Sequence, residues 1–174
     1  MTRLRPSTIA DIPAIAAIYS HHVRTGTGSF EIDPPEAAEM ERRWKDIAEK
    51  NLPYLVAEQD GALAGYAYAS PYRPRVAYRH TVEDSIYVHP DHAGKGIGAL
   101  LLPALIADCE TRGLRQMIAV IGDSGNAASI RLHARFGFGD VGVLRNVGFK
   151  FGRWLDTVFM QRALGDGDQS LPAT

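Results

Sequence analysis

The chain has 174 residues, 45% of them apolar, and a formal net charge of -1. That length gives one domain with a real core, and the near-neutral charge removes any general attraction to nucleic acid or an anionic membrane, so neither is expected as a partner. A single cysteine, Cys109, excludes an internal disulfide and a Cys-x-x-Cys metal site; with no apolar run of about 18 residues and no secretory core near the start, the expected compartment is the cytoplasm.

Leu4 opens a short strand, and Ile12, Ile15, Ile18 and Tyr19 then recur at helical spacing. Thr25 to Phe30 reads as a loop. Asp33 is placed to cap a second helix, with Pro34 and Pro35 in its first turn and Met40, Trp44 and Ile47 inward. Two apolar runs around Asp60-Gly61 predict a hairpin. The β-rich run TVEDSIYV leads into glycines, and a helix from Ile97 ends at Gly113. A strand over RQMIAVI, a helix over NAASIRLHARFG and two last strands around a Gly/Lys/Arg loop complete the domain, 1–164. The polar remainder, 165–174, is expected to be disordered. Strands occur both in hairpins and in strand–helix–strand units, which predicts an α/β (α+β) fold: a mixed sheet with helices on both faces.

Gly94, Gly96 and Gly98 stand where a helix should begin. Glycine costs a helix about 1 kcal/mol against alanine, a cost tolerated where something must approach the backbone. GKGIGA satisfies the dinucleotide pattern G-x-G-x-x-A, with Asp123 downstream. That reading fails on context: HPDHA separates strand from glycines, the motif lies mid-chain, and too little sequence follows for a second wound half. Two readings remain: a tight turn with no ligand, and a pyrophosphate seat, in which the N–H groups from Gly94 to Ala99, Ile97 included, point at an anion at a helix N-terminus and Lys95 adds positive charge.

HAGKGIGALLL resembles the coenzyme A pyrophosphate loop of the GNAT superfamily of N-acetyltransferases, Gln/Arg-x-x-Gly-x-Gly/Ala, through Gly96 and Gly98; Ala93 departs from it at the Gln/Arg position. NAASIRLHARFGF resembles a second block of that superfamily through Asn126, Ser129, Leu132, Gly137 and Phe138, with His133 where tyrosine is usual. HTVEDSIYVHPDH, AVIGDSGNAASIRLH, VGFKFGRWLDTVFMQ, TGSF and GYAYASPYRPR are similar to the phosphinothricin and methionine sulfoximine acetyltransferase branch, over nearly all of Thr2 to Leu164. The resemblance implies a GNAT fold with a twisted, mostly antiparallel sheet of about seven strands, acetyl-CoA as co-substrate and a homodimer.

Acetyl transfer to an amine needs a base for the ammonium, a site for the oxyanion and help for the leaving thiolate. In TVEDS, side-chain alternation puts Glu83, Ser85 and Tyr87 on one face and Asp84, Ile86 and Val88 on the other. If Ile86 and Val88 are core, Glu83 faces a cleft and is the candidate base, with Asp84 the competitor; the branch places its base at the matching glutamate. From the GNAT pattern, backbone groups of Ile86, Tyr87 and Val88 hold the pantetheine arm and the thioester oxygen, and Asn126 and Ser129 reach the cofactor. His133, at the tyrosine position, is the candidate proton donor to the thiolate. Phe30, Tyr72, Arg73, Arg75 and Tyr78 are candidates for the acceptor, the arginines as a fork for a carboxylate or phosphinate. Lys150, Phe151 and Arg153 fall in a loop that could reach a partner's site in a dimer, where Phe149, Phe151 and Trp154 cluster large rings. His89, His92 and Asp91, or His21 and His22, form a poor chelate, and no metal is expected.

The expected activity is acetylation of the α-amine of amino-acid analogues such as phosphinothricin, methionine sulfoximine or methionine sulfone. The alternatives are a GNAT with another acceptor (a protein N-terminus, an aminoglycoside, a polyamine) and a non-catalytic coenzyme A-binding sensor.

Overall fold

The computed structural model describes residues 1–172. Seven strands form one sheet: β1 (Thr2–Pro6), β2 (Tyr54–Gln59), β3 (Ala62–Pro71), β4 (Thr81–Val88), β5 (Gln116–Gly122), β6 (Gly139–Lys150) and β7 (Arg153–Ala163). Their order is β1-β2-β3-β4-β5-β7-β6. Only β4 and β5 run parallel. A parallel pair needs a crossover, and helix α3 (Ile97–Thr111) supplies it. α1 (Ile12–Thr25) and α2 (Ala37–Glu49) come before the hairpin of β2 and β3, and α4 (Ala127–Arg135) lies between β5 and β6.

The helices divide between the two faces. α3, with Leu101, Leu102 and Leu105 wholly buried, packs with Met117, Ala119, Val158 and Met160 in one core, and Ile130 and Leu132 of α4 join it. Each such leucine contributes roughly 1.5–3 kcal/mol by leaving water. On the opposite face Ile15, Ile18 and Val23 of α1 and Met40 of α2 bury Val56 and Tyr66, with Tyr68 and Tyr87 beside them. Among the described residues no helix covers β5, β7 and β6 on that side, and Val141, Val143, Leu144 and Val147 of β6 are exposed.

Two sequence expectations shift. α2 begins at Ala37, not behind Asp33: Glu36 is extended (φ -66°, ψ 158°) and both prolines precede the helix, because a proline disfavours the helical conformation in the residue before it. Residues 165–172, within the segment expected to be disordered, carry turns tied to Arg115, whose guanidinium donates to the carbonyls of Gly167 (3.2 Å) and Leu171 (3.1 Å) and to Ser170 Oγ (3.0 Å); the last two residues lie outside the described ones.

The ladder between β4 and β5 stops at Asp84–Ala119. Beyond it β4 stays paired with β3 as far as Gly65–Val88, and β5 with β7 as far as Gly122–Thr157. The sheet therefore opens between its halves. Gly65 holds one edge of the opening, since a Cβ there would come 2.9 Å from the Tyr87 carbonyl oxygen and 3.0 Å from Ile97 Cγ2. Gly65→Ala should force β3 off β4 and destabilise the fold by about 1–3 kcal/mol, the usual cost of overpacking, read as a lower urea midpoint; an unchanged midpoint would show that the strands can part without cost.

Candidate active site

The opening between β4 and β5 is a cleft of about 820 Å³. Glu83 and Asp84 stand at its apex, Ser85 to Val88 and Val120 to Gly122 form its sides, and Gly94, Gly96 to Ala99, Asn126, Ser129 and His133 lie along it. These include every residue expected to be catalytic and all expected cofactor residues except Lys95.

The direction of the β4 backbone follows from three hydrogen bonds. Thr81 O accepts from Tyr72 N and His89 N donates to Ala64 O, both on the β3 side, while His80 O accepts from Arg115 N on the β5 side. Peptide groups alternate along a strand, so the N–H and C=O groups of Ile86 and Val88 point toward β5. The β5 ladder has already ended there. Those N–H groups are thus presented to the cleft, while Val88 O is taken by His22 Nε2 at 2.7 Å. His22, on α1, was not a sequence candidate; 66 residues separate the pair, and no local pattern marks it.

At the head of α3, Gly94 and Gly96 have φ of 73° and 81°, where only glycine sits without strain. A Cβ at either would meet nothing within 4 Å. The first helical bond is Leu100 N to Gly96 O, which leaves the N–H groups of Ile97, Gly98 and Ala99 free, as at any helix start. The backbone here is open to an anion and polarised to receive one. Gly98 has a different reason: a Cβ would come 3.1 Å from Leu132 Cδ2, so it lets α4 pack against α3.

The faces of β4 are as the alternation predicts. Ile86 and Val88 pack on the α3 core and Tyr87 on the α1 core. Glu83 therefore points to the α1 and α2 side, between Ser70 of β3 and Ile118 of β5. Burial, and secondarily the charge of Asp84, push its pKa up to about 7. Asp84 points the other way and is buried against His133, with Oδ2 2.9 Å from Nε2.

His133 lines the cleft, but both its ring nitrogens are engaged. Nδ1 lies 2.7 Å from the Ser129 carbonyl oxygen, and Nε2 faces a carboxylate. Both partners are acceptors, so any N–H that the ring carries is already directed at one of them. Burial draws the pKa down, but the Asp84 hydrogen bond and charge and the Ser129 carbonyl outweigh it and the value is raised. The ring thus has no N–H left to aim at a thiolate. Asn126 caps α4 by accepting from Ser129 N at 3.3 Å.

The acceptor candidates are not brought into the cleft. Tyr72 and Tyr78 line a separate hollow of about 270 Å³ with Thr81, Ile118, Val141 and Phe159. Arg73 stands 5.1 Å above the Tyr72 ring, and Arg75 is exposed. The expected arginine fork is an open surface loop, because the chain after β3 makes a short helical turn over Val76–Tyr78 outside the sheet. Phe30 lies on Gly122 and Gly148, beside the cleft mouth. Among the described residues no group of three His, Cys, Asp or Glu side chains could hold a metal ion.

A profile of the Acetyltransferase (GNAT) family matches residues 15–138. A phosphinothricin N-acetyltransferase of Alcaligenes faecalis is 61% identical over 93% of this chain and 82% of its own. An L-methionine sulfoximine/L-methionine sulfone acetyltransferase of Pseudomonas aeruginosa is 44% identical over 97% of this chain and 98% of its own. The crystal structure of a GNAT superfamily phosphinothricin acetyltransferase from Sinorhizobium meliloti, in complex with AcCoA, superposes with a TM-score of 0.96 at 47% identity, covering 99% of this chain and 93% of that one.

A carboxylate whose folded pKa is raised binds its proton more tightly folded than unfolded. Glu83 therefore costs the fold stability as pH rises from its ordinary value of 4.5 through about 7. Glu83→Gln should raise the melting temperature at pH 8 and leave it nearly unchanged at pH 4. A mutant less stable than wild type at pH 8 would mean that Glu83 has a stabilising charge partner.

Proposed function

This chain belongs to the GNAT family of acetyltransferases, and we propose that it transfers the acetyl group of acetyl-CoA to the α-amine of small amino-acid analogues of the phosphinothricin and methionine sulfoximine or sulfone type. The observation that carries the reading is the joining, in one cleft, of Glu83, the bare N–H groups of Ile86 and Val88 and the open glycine turn. Support for the acceptor comes from the activities named for the 61% and 44% identical relatives.

When bound, acetyl-CoA supplies an activated acyl group. Gly94 and Gly96 to Ala99 would hold its pyrophosphate, with Lys95 at the rim, and the free edge of β4 at Ile86, Tyr87 and Val88 would pair with its amide arm as an added strand does. Asn126 and Ser129 face the same arm. The acceptor enters from the side to which Glu83 points. An ammonium has no lone pair, so Glu83 takes its proton, directly or through water; a pKa near 7 suits a base working near neutral pH. The Val88 N–H holds the oxygen on which negative charge grows. His133 anchors Asp84 and α4 instead of donating a proton. Arg73, on Tyr72, brings positive charge to the hollow beside Ile118 for the acceptor's acidic group, and Phe30 walls the other side.

The face of β5, β7 and β6, on which no helix packs among the described residues, supports a homodimer. β6 is a sheet edge, and Phe149, Phe151 and Trp154 at its hairpin are 57%, 55% and 61% exposed. A long apolar edge is normally covered. Sedimentation at micromolar concentration should give about twice the monomer mass of 19.0 kDa; a monomer alone would rule the dimer out.

The activity is tested by release of free coenzyme A thiol with phosphinothricin, methionine sulfoximine, methionine sulfone, ordinary amino acids and polyamines. Release with the first three supports the proposal; release only with polyamines or a protein N-terminus moves the acceptor, and none at all with tight acetyl-CoA binding makes the chain a sensor. Glu83→Gln should lose about 10²–10⁴-fold in kcat, bind acetyl-CoA as before and partly recover at high pH, where the amine deprotonates unaided. Near-normal turnover of this variant at pH 7 would reject Glu83 as the base.

A further inference from the structure

One buried cation takes no part in the chemistry described so far. Lys150, at the end of β6, is 4% exposed, although its neighbours Phe149 and Phe151 are among the most exposed rings of the protein. No carboxylate lies within ion-pair distance of its ammonium among the described residues. Nζ instead donates to two carbonyl oxygens, of Gly26 at 3.0 Å and Ser29 at 2.8 Å. A buried ammonium without a counter-ion is costly; beside the Phe151 ring, 5.0 Å from Nζ to its centroid, the two carbonyls are its hydrogen-bonding compensation, and both belong to one strap of chain.

That strap, Gly26 to Phe30, follows α1 and has no strand or helix of its own. Shape seats it. A Cβ at Gly148 would come 2.8 Å from Phe30 Cδ2, and a Cβ at Gly122 would come 2.9 Å from Phe30 Cε1 and 3.2 Å from the Thr27 carbonyl carbon. Ser29 Oγ is hydrogen-bonded to Tyr19 Oη at 2.8 Å. Gly26, Thr27 and Gly28 line the cleft. Glu83 lies beside Ile118 in register, so by alternation Val120 and Gly122 also point to Glu83's face. The strap therefore closes the cleft mouth on the side to which the candidate base points.

We propose that Lys150 is a positioning residue for the acceptor: by holding Gly26 and Ser29 it fixes the strap as the wall against which the incoming amino acid is aligned and its size is read. This rests on the reading that the acceptor enters from Glu83's face. The ammonium touches no reacting atom; it sets where the wall stands. Near-attack geometry is sensitive to such placement, and a shift of about 1 Å can cost about 10²-fold.

The test uses steady-state thiol-release kinetics on the full chain with three variants. Lys150→Met keeps the bulk and removes the donors. It should lower kcat/KM for the acceptor about 10- to 100-fold, with a raised acceptor KM and little change in the acetyl-CoA KM, while Lys150→Arg, which keeps charge and donors, restores most of the loss. Gly148→Ala displaces Phe30 without touching any charge and should raise the same KM; it decides the matter if Lys150→Met does not fold. Ile118→Trp crowds Glu83's face away from the strap. If Ile118→Trp raises the acceptor KM and folded Lys150→Met leaves it unchanged, the role of Lys150 is wrong and the entry face stands. If Ile118→Trp leaves it unchanged, the entry face is wrong and the proposal falls with it. A parallel rise in both substrates' KM in Lys150→Met would make the residue a general scaffold element and would equally overturn the proposal.

Discussion

The parting of β4 from β5 after Asp84 and Ala119 is the constraint on which the site depends. The opening leaves the N–H groups of Ile86 and Val88 without a strand, and because they face the cleft they do not carry the cost of about 1–3 kcal/mol of a donor shut away from water. The fold tolerates this because β4 is held along its whole length by β3, and because α3 packs beneath it and the Tyr19, Tyr66 and Tyr87 rings above. His22 takes the Val88 carbonyl and leaves the N–H of the same residue free. A strand fixed on one edge and bare on the other can receive an extended amide chain without first being ordered.

At the apex of that opening two adjacent carboxylates have opposite fates. Asp84 is buried and paired with His133; Glu83, on the other face, has no cation partner among the described residues and is raised to about 7. A salt bridge to Glu83 would have lowered its pKa and spoiled it as a base near neutral pH. The charge of Asp84, the second cause of the upward shift, works the other way. His133 thus acts at one remove: it allows a carboxylate to stay buried next to the base while α4 is pinned against the strand. A buried pair of this kind contributes little net stability, yet loss of one partner would strand the other.

Local pattern carried much of this. The strands, the glycine turn and the two faces of TVEDSIYV were readable because alternation and turn chemistry act over a few residues. The unread parts depend on contacts across long stretches of sequence. Nothing near His133 reveals that Asp84, 49 residues away, occupies its ring; nothing near Lys150 reveals carbonyls 124 and 121 residues away. The run of arginines after β3 does not say by itself where it stands, since a basic loop has the same composition whether it faces a site or solvent; that Arg73 sits over the Tyr72 ring while Arg75 is exposed depends on the fold. The branch resemblance supplied the acceptor class, which no spacing of residues could.

The two faces of the sheet are covered unequally, and this links acceptor choice to assembly. α3 and α4 cover one face from β2 to β7, with apolar side chains throughout. On the other, α1 and α2 reach only β2 to β4, and Glu83 stands at the boundary, with the covered tyrosines on one side and Ile118, Phe159 and Val141 on the other. The strap held by Lys150 occupies the same boundary at the mouth. On the reading proposed here, the acceptor and a second copy of the chain meet this uncovered half together. The hairpin of β6 and β7 carries the exposed rings at its tip and, through Lys150 and Gly148, the seat of the strap. A contact that moved the hairpin would therefore move the acceptor wall, while the glycine turn of α3, on the opposite side of the sheet, would keep its place.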